Sequence, residues 1–153
     1  MTRRSAGTLS ALSVLAVLAA VVALAAQAGT VAQGGAPTAV LHAADGSEIH
    51  GAVSLRPTPV TGGTTVAVTV HGLPANARVD VRLHTGRSLA HVSSSSTALP
   101  SGTAGESGSF RAYGPVRSRA GDDVRITDVA DGAHMVLVHA NDSLVAYAHI
   151  PRG

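Results

Sequence analysis

The sequence predicts an all-β protein, an antiparallel Greek-key β-sandwich or flattened barrel of about eight strands. Three observations lead there. Apolar residues recur with a period of two, as in "TTVAVTV" and "RVDVRLH". Turn residues punctuate the chain at short intervals: "DG" at 45–46, "TGG" at 61–63, "LPAN" at 73–76, "AGDD" at 120–123 and "DG" at 131–132. Beyond the N-terminal leader, no stretch combines helix caps with a 3.6-residue apolar repeat.

Taken in order, the elements are these. "MTRR" followed by "LSALSVLAVLAAVVALAA" and Ala26-Gln27-Ala28 has the basic start, apolar core and small-x-small cleavage pattern of a secretory signal. The expected signal peptide is 1–28, with Ala26 a second cleavage point and an uncleaved membrane anchor the alternative. After cleavage no membrane span is expected. Residues 29–38, "GTVAQGGAPT", read as a flexible lead-in, and 39–153 as the β-sandwich domain.

Within that domain, strands are expected at 39–43, 49–56, 64–70, 78–84, 108–116, 123–128, 134–139 and 144–150. "RVDVRLH" points Val79, Val81 and Leu83 inward, and Arg78, Asp80, Arg82 and His84 outward. Residues 86–109, rich in Ser and Gly, read as the long crossover that a Greek key requires.

Composition excludes several functions. All 11 basic residues are Arg. Loss of Arg3 and Arg4 with the leader takes the formal net charge from +2 to zero. Aromatics number only three, so nucleic acid is not an expected partner. There is no cysteine, hence no disulfide, thiol nucleophile or lipoprotein anchor. Phosphate-binding glycine loops, HExxH and G-x-S-x-G are absent from the sequence.

Eight histidines raise the question of a metal: His42, His50, His71, His84, His91, His134, His139 and His149. No two of them stand at i and i+2, the spacing at which one strand could grip an ion. A site would have to be assembled between strands. His42 and His50 flank the first "DG" turn, His71 stands at a strand end, and His139 stands where a strand meets Asn141-Asp142.

The order "VTVHGLPANARVDVRLHTG", a loop, "AGDDVRITDVADGAHMVLVHAND" and "VAYAHIP" resembles a shortened copper/zinc superoxide dismutase domain. It is also similar to chordin-type (CHRD) extracellular domains. The resemblance spans about residues 50–151. It implies that His84 and His139 match copper ligands of that family, with His91 the remaining loop histidine. It also implies that the partner of His84 in the family's His-x-His pair is Arg82. The family's guiding arginine falls at Leu144, and its disulfide cysteines fall at Tyr147 and near Ser88. A guanidinium beside an ion is costly: at ~4 Å and an effective dielectric of ~20, each like charge costs about 4 kcal/mol.

The function implied is a secreted or surface-exposed superoxide dismutase-like module, a non-catalytic binding or structural domain with an unknown extracellular partner and no cofactor. The alternatives are a copper- or zinc-binding protein with a reduced site of His84, His139 and His91, or a superoxide dismutase. No catalytic residue is assigned.

Overall fold

A computed structural model describes residues 36–153, which form one unit, Ala36–Gly153. The expected signal peptide and all but the last three residues of the lead-in lie outside the described residues. Among those described, no helix is long and apolar enough to cross a membrane.

The chain forms nine strands: β1 (Thr38–Ala43), β2 (His50–Pro57), β3 (Thr64–His71), β4 (Arg78–Gly86), β5 (Val92–Ala98), β6 (Gly102–Thr103), β7 (Phe110–Val116), β8 (His134–Ala140) and β9 (Ser143–His149). Hydrogen bonding runs continuously in the order β5-β4-β8-β9-β1-β2-β3-β7, with β6 paired to β4. All the pairings are antiparallel. β1 joins two halves, pairing β2 through Thr38–Leu41 and β9 through His42 and Ala43. After β4 to β6 have been laid in the other half, β7 returns beside β3, which gives the predicted Greek-key crossing.

The alternation read from the sequence is the alternation found. β3 buries Thr64, Val66, Val68 and Val70, and β4 buries Val79, Val81 and Leu83. Val53, Leu55, Val136, Val138, Ala146, Ala148 and Phe110 complete an almost wholly aliphatic core. The ends of the path are edge strands. Pro115 lies on the β7 edge opposite Thr65, where its missing N–H breaks no ladder.

Two expectations fail. Residues 92–98 form β5 rather than part of a loop, pairing with β4 from Arg82↔Ala98 to Gly86↔Val92. Serine has little strand propensity, but an edge position against an existing strand overrides it. Residues 123–128 do not form a strand. Val124 donates to the Val116 carbonyl, and Ile126–Val129 then make one helical turn, α1. Ile126, Val129 and Ala130 have i, i+3, i+4 spacing, and Val129 and Ala130 enter the core from it.

Candidate functional site

Of the predicted ligands, His84 and His139 lie on the face shared by β5, β4, β8 and β9, while His91 lies outside these strands. Because Val79, Val81 and Leu83 point inward opposite Ala140, Val138 and Val136, the residues between them form outward cross-strand rows. One row runs Ala98, Arg82, Leu137, Tyr147, His42. The next runs Ser96, His84, Met135, His149. On the other side of the Arg82 row, Asp80 stands opposite His139.

This register decides what the predicted ligands can do together. His139 is level with Asp80, so His84 lies four residues further along, about 13 Å at strand rise. The Arg82–Leu137 row stands between them. His91 closes a 3-10 turn (Leu89–His91) beyond the Gly86 end of β4, on the far side of His84 from His139. Its exposed ring meets the Ser88 hydroxyl at 3.1 Å. The three histidines are strung along the ladder, and the structure does not gather them around one point. Among the described residues no group of three or more His, Asp or Glu is placed to hold a metal ion.

Two nitrogens nevertheless stand out. His84 Nδ1 is 2.8 Å from the Ser93 carbonyl oxygen, which can only accept, so the proton sits on Nδ1. Nε2 of the neutral ring is then bare, and it is buried without a partner, as is His139 Nδ1. A bare imidazole nitrogen is what a metal ligand must offer, but the neighbouring chemistry does not follow suit. Arg82 Nε donates to Asp80 Oδ2 at 2.6 Å, and Nη1 reaches the Ser96 hydroxyl at 3.4 Å. The Ser101 hydroxyl lies 3.2 Å from Asp80 Oδ1 and accepts the Val81 N–H at 3.1 Å. Burial raises the Asp80 carboxyl, but the Arg82 hydrogen bond and charge, with Ser101 and His139, outweigh it. The carboxyl is held below its ordinary value.

The pairing refines the electrostatic expectation. With Asp80 against it, the Arg82 charge is largely answered locally, so net repulsion of a cation is weaker than for a free guanidinium. What obstructs an ion is the donor-only side chain where a lone pair is needed. These residues do not fit a multi-imidazole copper centre of the dismutase kind.

The remaining histidines are placed as follows. His134 Nδ1 meets Asp131 Oδ1 at 2.9 Å, and His42 lies 5.9 Å from Tyr147 between ring centres. His50 and His71 face each other across the β2–β3 ladder. Sequence reasoning could not pair them, because the turn signal "TGG" at 61–63 does not fix the register that the Thr58–Gly63 turn sets.

No family model matches the sequence, and no curated protein matches it. Among solved structures, the fold matches the crystal structure of a histidine-for-proline mutant of an SOD-like protein from Bacillus subtilis. The TM-score is 0.56 at 12% identity, covering 76% of this chain and 97% of that one. The fold is therefore superoxide dismutase-like, an all-β module curled into a half-barrel.

Proposed function

We propose that the protein is a non-catalytic, extracytoplasmic superoxide dismutase-like module, degenerate at its metal face, that binds a partner or serves a structural role in the medium or at the cell surface. The chordin-type domain is the related architecture in which such a role is expected. One observation carries the reading: Arg82, locked to Asp80, occupies the outward position at which the resemblance calls for a second imidazole. Secretion rests on the leader at 1–28, and N-terminal sequencing of the mature protein should begin at Gly29. The activity test is superoxide dismutation by the purified protein after copper and zinc loading. Fast dismutation with one bound copper per chain sinks the proposal.

The second reading, a reduced copper or zinc site of His84, His139 and His91, has in its favour the unpartnered buried nitrogens of His84 and His139, but with about 13 Å of strand between those two residues each would bind an ion separately. A copper titration in which His84→Asn or His139→Asn abolishes binding tighter than ~10 µM supports it. Absence of such binding removes it.

A further inference from the structure

We propose that His50 and His71 form a binding site for a divalent transition metal ion of the zinc class, on a different ladder from the face described above. The two are directly paired at the end of β2 and β3. Val53 and Val68 point into the core, so His50 and His71 fall on the outward side by alternation. Their rings are stacked, with centroids 5.4 Å apart and planes 30° from parallel. That separation matches a shared ion only after the rings turn out of this stacked arrangement, because the Nε2 lone pairs lie in the ring planes and must converge on one point. Metal–nitrogen bonds of about 2.0–2.1 Å place each ring centre about 3.2 Å from the ion, so two rings at a tetrahedral angle have centres about 5.2 Å apart.

The protonation pattern also suits it. His50 Nδ1 donates to the Glu48 backbone carbonyl at 2.8 Å, which leaves Nε2 as a bare donor atom. His71 Nδ1 is 3.1 Å from the Ser109 hydroxyl, an oxygen able to accept its proton and free Nε2 in the same way. Metal-ligating histidines are typically held by this kind of bond from the other ring nitrogen to a carbonyl or other acceptor.

The backbone beneath the pair is close-set. Gly51 lies so near β3 that an added Cβ would stand 2.0 Å from the Thr69 carbonyl oxygen. Gly72 turns the chain at φ +80° directly after His71. Two imidazoles, with water filling the remaining positions of a tetrahedral ion, make a modest site. The nearby charged side chains are Glu48, just before β2, and Arg111, in the adjacent row of β7.

The experiment is a titration of the purified protein with zinc chloride at pH ~7.5, read by calorimetry and by the ring-nitrogen NMR resonances of all the histidines. The expected result is one ion per chain, shifts at His50 and His71 Nε2, and at least a tenfold loss of affinity in His50→Asn and in His71→Asn. Both positions are on the outward surface, and unchanged circular dichroism confirms that the variants fold. Three results overturn the proposal: no binding tighter than ~1 mM, affinity unchanged in the double variant, or loss of the ion in His84→Asn or His139→Asn instead. The last of these would favour the outer-face copper or zinc reading.

Discussion

Replacing Gly51 by alanine tests whether the β2–β3 ladder is as close-packed as its geometry requires. An alanine Cβ would lie 2.0 Å from Thr69 O, 2.9 Å from Thr69 C and 3.0 Å from Val70 Cα. All three are backbone atoms, so no side chain can swing aside. The strands must separate by about 1.5 Å to restore ordinary contact, and overpacking of this kind costs about 1–3 kcal/mol. Loosening one adjacent ladder hydrogen bond adds about 1 kcal/mol. For a domain spanning residues 36–153, a combined loss of about 3 kcal/mol lowers Tm by roughly 10 °C. Urea and thermal denaturation at neutral pH measure it directly. Gly105→Ala is the control, because its new Cβ would meet nothing closer than Ser109 O at 3.7 Å. It should stay within about 1 kcal/mol of the parent. A Gly51→Ala protein as stable as Gly105→Ala would refute the packing argument. The same variant should weaken zinc binding, since it moves His50 away from His71.

Leu55, fully buried in β2, should cost about 2–5 kcal/mol when cut to alanine, visible as a lower urea midpoint. Asp131 is held below its ordinary value chiefly by the His134 hydrogen bond, with the Ala133 N–H also bonded to it. Because the folded value is the lower one, its stabilisation is present above about pH 4 and is lost as pH falls through the folded value. Asp131→Asn should therefore lower the urea midpoint at pH ~7 and flatten its decline below pH ~4; an acid limb identical to the parent's counts against the pairing. Arg82→His places an imidazole two residues from His84 on the same face. Stability should change by no more than about 1 kcal/mol, since the lost ion pair is half exposed, and copper titration should reveal a new outer-face site. If none appears, Arg82 is not the obstacle.

The sequence was most readable where one face of a strand is buried. Val66, Val68 and Val70, or Val79, Val81 and Leu83, carry a period that only a half-buried strand explains, and these are the residues that the strands bury. It was least readable where tertiary context replaces pattern. Ser93 to Ser96 have no apolar face, and they are strand only because β4 offers an unpaired edge. Val124 and Ile126 alternate as if in a strand, yet the i, i+3, i+4 set of Ile126, Val129 and Ala130 governs the backbone. The metal candidates failed to gather for a related reason. Strand order puts β4 beside β8, but only register reveals that His139 faces Asp80 and not His84.

Inward and outward rows of this sheet answer to different constraints. An inward row must fill the core, so a Val or Leu there is fixed by volume. An outward row needs only to be soluble and to leave the ladder intact, so its chemistry can change while the fold stays. A fold shared at 12% identity, with an arginine among the positions the resemblance assigns to copper ligands, is what that division permits. It also indicates where ligand chemistry remains. Asp80, Arg82, Ser96 and Ser101 bond to one another, which ties up the Asp80 carboxylate and leaves the exposed guanidinium as a donor only. In the row of His50, His71 and Ser109, the internal bonds occupy the Nδ1 atoms and leave the Nε2 atoms of two adjacent rings for something else to bind.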